Sequence, residues 1–166
     1  MKIFYTRDKV ASRDFLCKVL QEYYGIDRPQ FERGAHGKPR LSTGTPCFNV
    51  THSGGLTAVA VSKREVGLDL QLRKERDYSA LIKRLTPAER EEDFFRVWTA
   101  KEAYVKYLGS SLAEEYPSLR FHGGVLYRNG EHTGVSLFFR ETADYVLCLC
   151  TASPCAVVEL KEISLL

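Results

Sequence analysis

Long apolar runs are missing from this 166-residue chain. None approaches the roughly 20 residues that span a bilayer, so a helical membrane protein is excluded and no membrane partner is expected. An excess of one charge is missing too. With 24 Lys and Arg against 21 Asp and Glu, the net charge of +3 is too small to argue for nucleic acid as a partner, although it suits an anionic ligand or an acidic protein. Cysteines are present but unpaired by pattern. Cys17, Cys47, Cys148, Cys150 and Cys155 are odd in number and lack the spacing of a zinc site or a redox pair. Low-complexity stretches are absent, and the start Met1-Lys2-Ile3-Phe4-Tyr5 turns polar at once, so no signal peptide is expected. A reducing cytoplasm is the expected location.

Hydrophobic residues make up 44% of the chain and charged residues 27%, which are ordinary values for a soluble globular protein. Residues 2–5 read as a strand. Residues 12–24 read as a helix capped by Ser12, with Phe15, Leu16, Val19, Leu20 and Tyr23 along one stripe. Residues 25–46 hold three of the six prolines and four of the twelve glycines and are expected to be mostly loop. Strands follow at about 47–52, 57–62 and 66–71, with Ser53-Gly54-Gly55 as the first turn. Residues 77–85 are expected to be helical. Thr86-Pro87-Ala88-Glu89 carries a capping box, and a longer helix spans about 92–108 and ends at Gly109. Further strands are expected near 119–127, 134–140, 144–151 and 156–160, with Cys148 and Cys150 packing as small hydrophobes.

Both halves run helix first and then strands. The expected fold is therefore α+β: two pseudo-symmetric halves, 1–72 and 73–166, each a helix on a mainly antiparallel sheet, packed into one compact unit.

Four segments can carry chemistry. His36-Gly37-Lys38-Pro39 offers close backbone approach, a stiff loop and a point charge for phosphate; it also fits a surface turn. In Phe48-Asn49-Val50-Thr51-His52-Ser53-Gly54-Gly55, Asn49, Thr51 and Ser53 share one strand face and Phe48, Val50 and His52 the other. That segment suits a phosphate, or is a hairpin with a polar tip. In Val66-Gly67-Leu68-Asp69-Leu70-Gln71, the side chains of Asp69 and Gln71 point the same way, about 7 Å apart, and can hold a hard cation; a half-exposed edge strand reads the same. In Trp98-Thr99-Ala100-Lys101-Glu102-Ala103-Tyr104-Val105-Lys106, helical spacing puts Phe94, Val97, Trp98, Val105 and Leu108 on one face. Glu102 lies on its shoulder with Lys106 a turn later, either a partly buried carboxylate or an exposed i,i+4 pair. Lys101 falls inside the apolar stripe, from which it is expected to snorkel outward or to meet a phosphate.

Taken in order, Gly37-Lys38-Pro39, Phe48 to Ser53, Gly67 to Leu70 and Trp98 to Ala103 resemble the successive motifs of the Sfp-type 4′-phosphopantetheinyl transferases. The resemblance runs from about Arg13 through Gly109, and more loosely to the end. It implies two α+β halves with coenzyme A in the cleft between them. It also implies transfer of 4′-phosphopantetheine from coenzyme A to a serine of an apo acyl or peptidyl carrier protein, releasing 3′,5′-ADP. Asp69, Gln71 and Glu102 would form the magnesium site. Lys106 would neutralise a pyrophosphate oxygen, and His52 would meet the 3′-phosphate beside Thr51 and Ser53. Gly37, Lys38 and Pro39 would line the adenine end. Glu102 is the expected base for the carrier serine, and the enzyme is expected to act as a monomer.

Three departures stand out. Gln71 replaces a common glutamate, Thr51 replaces a serine, and the stretch before the first helix is short, leaving Arg7, Lys9 or Arg13 to replace its basic contacts. Two other functions fit the same residues: a degenerate protein that holds coenzyme A without transferring, and a metal-dependent phosphohydrolase.

Overall fold

The computed structural model describes residues 1–155 and 157–164. The chain begins with β1 (Lys2–Thr6), α1 (Ser12–Tyr24), β2 (Phe31–Arg33), β3 (Pro39–Leu41), β4 (Cys47–Ser53), β5 (Leu56–Ser62) and β6 (Val66–Leu72). It continues with α2 (Ser79–Ile82), α3 (Pro87–Arg90), α4 (Phe94–Leu108), α5 (Leu112–Glu115), β7 (Leu119–His122), β8 (Val125–Arg128), β9 (Glu131–His132), β10 (Ser136–Glu141), β11 (Tyr145–Thr151) and β12 (Glu159–Glu162). The fold is α+β, with helices packed on mainly antiparallel sheets.

One sheet has the order β12-β1-β5-β4 and a second has β10-β11-β6. α1 covers the first, burying Phe15, Leu16, Val19 and Leu20 against Phe4, Phe48, Val59 and Val61. Each such side chain contributes about 1.5–3 kcal/mol on burial. α4 covers the second, with Ala100, Ala103 and Tyr104 against Cys148 and Cys150. The two sheets meet through Ile3, Leu56, Ala58, Ala60, Leu68, Leu70, Leu147 and Leu149. Strands cross residue 72 in both directions. β6 is bonded into the second sheet beside β11, and β12 returns to run parallel to β1 in the first.

Several expectations hold. Gly54 and Gly55 turn between β4 and β5 with φ of +57° and +83°, a hairpin turn that glycine makes without steric cost. Thr86 and Glu89 form the reciprocal capping box, with Pro87 opening α3. Gly109 ends α4 in the left-handed conformation. Cys148 and Cys150 are buried, and burial pushes the Cys150 thiol up to about 12. Among the described residues, no helix is long and apolar enough to cross a membrane.

Other expectations are corrected. Ser12 does not cap α1; Ala11 holds the cap position, with no side-chain hydrogen bond. Residues 25–46 are not only loop, because Phe31–Arg33 and Pro39–Leu41 pair as a hairpin. The helix expected at 77–85 shrinks to one turn. α4 starts at Phe94 because the Asp93 carboxylate accepts from the Arg96 N–H and caps it there. The strand expected at 119–127 is a hairpin, broken at Gly123 and Gly124, both with positive φ. The strand expected at 134–140 is shifted to 136–141. The last strand lies at 159–162 rather than 156–160; residue 156 is outside the described residues.

Candidate functional site

β4 and β6 are neighbours without sharing a backbone ladder. Side chains of β4 make the join instead. The Leu68 N–H donates to Asn49 Oδ1 at 3.0 Å, and the Leu72 N–H donates to Ser53 Oγ at 2.9 Å. Between them, the Thr51 hydroxyl donates to Asp69 Oδ1 at 3.4 Å. Strand periodicity is the cause, since residues 49, 51 and 53 face one way and meet successive positions of β6. Asn49 and Thr51 are buried, and so is Asp69.

α4 reaches this seam because residue 67 has no side chain. A Cβ on Gly67 would lie 1.9 Å from the Ala103 carbonyl oxygen and 2.5 Å from the Tyr107 nitrogen. The close approach sets the next turn of α4 over Asp69. Lys106 Nζ donates to Asp69 Oδ1 at 2.6 Å and to Thr51 Oγ1 at 3.3 Å. On the other carboxylate oxygen, Gln71 Nε2 donates to Asp69 Oδ2 at 2.8 Å. Glu102, a turn before Lys106, is half-buried. Burial first, and then the Asp69 charge, push its carboxyl above the usual range, while Lys106 pulls it down.

The arrangement is two carboxylates in one partly desolvated place, with one ammonium paired to Asp69 and acting on Glu102 through its charge. That donor set suits a hard divalent cation, which would offset both the burial and the Asp69 repulsion that raise Glu102. Among the described residues no three His, Cys, Asp or Glu side chains cluster to hold a metal, so neutral oxygens and water would complete such a site.

The other expected site residues lie elsewhere. His52 is exposed on the opposite face of β4, the α1 side, as alternation requires. Gly37 and Pro39 line a cleft of about 320 Å³ with Ser12, Arg13 and Arg33. Of Arg7, Lys9 and Arg13, Arg13 lines this cleft, from the first turn of α1 and with its guanidinium over the Phe31 ring, whereas Arg7 pairs with Glu162 at 3.5 Å. Lys38 lies against the end of α4, where its ammonium meets Glu65 and two backbone carbonyls.

Lys101 neither snorkels nor faces a ligand. It is 1% exposed, its Nζ lies 2.7 Å from Glu89 Oε1, and it sits 4.4 Å over the Tyr116 ring. Glu89 also accepts from the Thr86 and Phe121 N–H groups. Burial pushes the Lys101 ammonium down, with Glu89 holding part of it back. Burial pushes Glu89 up, but Lys101 and the two N–H groups bring it below the usual carboxylate range. A lysine inside an apolar stripe was the sequence signal for a buried partner. Asn49 and Gly67 are the contributors that reading by motif passed over; alternation and the missing side chain are their signals.

The profile of the 4′-phosphopantetheinyl transferase superfamily matches residues 65–150, just over half the chain. The 4′-phosphopantetheinyl transferase HetI of Nostoc sp. is 34% identical over 63% of this chain and 52% of its own length. The 4′-phosphopantetheinyl transferase AcpT of Salmonella typhi is 38% identical over 61% of this chain and 58% of its own. The 4′-phosphopantetheinyl transferase psf-1 of Bacillus pumilus is 30% identical over 86% and 70% respectively. This chain thus spans between half and three-fifths of the first two relatives.

Proposed function

Because this chain belongs to the 4′-phosphopantetheinyl transferase superfamily, we propose that it moves 4′-phosphopantetheine from coenzyme A to a serine of an apo acyl or peptidyl carrier protein, releasing 3′,5′-ADP. The observation that carries this reading is the meeting of Asp69, Thr51 and Lys106 from three separate elements, with Glu102 beside them.

Asp69 and Glu102 would hold magnesium, which supplies Lewis-acid withdrawal of charge from the pyrophosphate. Gln71 either adds a neutral oxygen or, through its hydrogen bond, orients Asp69. Lys106 uses a further N–H on a pyrophosphate oxygen and stabilises the charge that grows on departing 3′,5′-ADP. The carrier serine must lose a proton, and the raised Glu102 carboxyl is the better base for it. The carrier supplies the nucleophile, so this chain needs none. His52 meets the 3′-phosphate from the outer face of β4, while the Thr51 and Ser53 hydroxyls, on the inner face, are engaged by Asp69 and the Leu72 N–H. Gly37, Pro39 and the backbone of Lys38 line the adenine end, the Lys38 ammonium being turned to Glu65. The five free cysteines suit a reducing cytoplasm.

Mass spectrometry of several apo carriers, incubated with the chain, coenzyme A and magnesium, tests the reading. One serine should gain the whole phosphopantetheine arm. Coenzyme A bound but never transferred would make the chain a binding protein. Its cleavage to phosphopantetheine without a carrier would make it a phosphohydrolase.

A further inference from the structure

Lys38 sits where three elements converge. Its Nζ is 2.7 Å from Glu65 Oε2, just before β6. It also donates to the Val66 carbonyl at 3.3 Å and to the Tyr107 carbonyl at 3.2 Å. Its stem lies along the end of α4, where a Cβ on Gly109 would be 3.2 Å from Lys38 Cδ. Only 17% of the side chain is exposed. An ammonium has three N–H donors, and all three have acceptors here. The Tyr107 carbonyl belongs to the last turn of α4, which has no intrahelical partner and carries the negative end of the helix dipole. A cation is the group that such an end attracts.

Tyr107 follows Lys106 directly, and Val66 lies three residues before Asp69. Lys38 therefore ties together the two elements that carry the closest ion pair of the site, Lys106 to Asp69 at 2.6 Å. Gly67 lets α4 and β6 approach; Lys38 bridges them beside that contact, from the Val66 carbonyl to the Tyr107 carbonyl.

We propose that Lys38, anchored by Glu65, is a positioning residue that holds the end of α4 on β6 so that Lys106 stands over Asp69, and that its ammonium does not bind coenzyme A. The proposal rests on the transferase reading for its kinetic part. It sets Lys38 apart from His52, whose exposed imidazole is free to meet a phosphate.

The test compares Lys38→Met, Lys38→Arg and Glu65→Gln in the full chain. Lys38→Met should lower kcat about tenfold, while affinity for coenzyme A and its preference over 3′-dephospho-coenzyme A stay within about twofold by calorimetry. Lys38→Arg should restore most of the rate, and Glu65→Gln should lower kcat in the same direction. In a Lys106→Met background the Lys38→Met change should cost less than about twofold, because its effect passes through Lys106. Loss of affinity together with loss of 3′-phosphate preference, with Glu65→Gln silent, would make Lys38 a ligand contact and overturn the proposal. So would an undiminished rate loss in the Lys106→Met background, the mark of a general structural role. If the wild-type chain transfers nothing, the functional reading fails on its own. The clasp is then read from amide exchange at residues 106–109, which quickens in Lys38→Met and Glu65→Gln if it exists and is unchanged if it does not.

Discussion

At the scale of single residues, Asp69 is the hinge of the site, because three side chains from two strands and a helix converge on its carboxylate. On the proposed reading, Asp69→Ala removes one of two charged ligands from a hard cation, and it leaves Lys106 without its anchor. Turnover with magnesium should fall by about 10²-fold or more, and a variant that keeps near wild-type rates would remove Asp69 from the chemistry. Gln71→Glu is a subtler probe. The glutamine now donates to Asp69, whereas a carboxylate there cannot donate and repels Asp69 instead. A divalent cation relieves that repulsion, so the magnesium concentration for half-maximal rate should drop. Superimposable titrations of the variant and wild type would place position 71 outside the metal site.

At the scale of elements, the site depends on how closely α4 lies on β6. Gly67→Ala puts a Cβ into helix backbone, which cannot yield as a flexible side chain would. We expect a loss of about 3 kcal/mol, which is about 6–12 °C in Tm for a chain of this size, with activity falling further than stability because Lys106 moves off Asp69. An alanine variant with unchanged Tm would contradict the packing argument. The buried Glu89–Lys101 pair joins α3, α4 and β7, since Glu89 also accepts from the Thr86 and Phe121 backbones. The folded-state pKa of Glu89 is lowered, so its stabilisation is complete above the unfolded value near about 4.3 and is lost as pH falls through the folded one. Urea unfolding from pH 7 down to pH 3 should show this decline, and Glu89→Gln should flatten it. At pH 7 that variant should cost about 3–5 kcal/mol, because it leaves Lys101 buried without its counter-charge. A pH profile identical to wild type would show that the pair does not carry the acid sensitivity.

For the molecule as a whole, the proposed reading draws every side chain of the reaction from a single copy of the chain. β4 and β6 supply the polar seam, α4 the carboxylate and ammonium, and the hairpin of β2 and β3 the proposed adenine end. Calorimetry should therefore find one coenzyme A bound per chain, with the chain itself a monomer by light scattering. A stoichiometry near one ligand per two chains would mean that a second copy completes the site.

What the sequence determined by itself was local. Period-2 alternation put Asn49, Thr51 and Ser53 on one face, and Asp69 with Gln71 on another. Helical spacing stacked Glu102 and Lys106. Gly54-Gly55, Gly109 and the Thr86–Glu89 box marked where elements turn, end and begin, because backbone conformation and capping are decided by neighbours in the chain. The tertiary structure decided which faces meet. No local rule says that β6 leaves β5 to pair with β11, or that β12 returns to β1. Nor does any local rule say that the β4–β6 join is made by side chains rather than by a backbone ladder. The fate of the lysines shows the same division. Lys101 and Lys38 read as cations available to a phosphate. Their ammonium groups meet Glu89 and Glu65 because contacts between distant segments, formed only on packing, set a charge's partner once water is withdrawn.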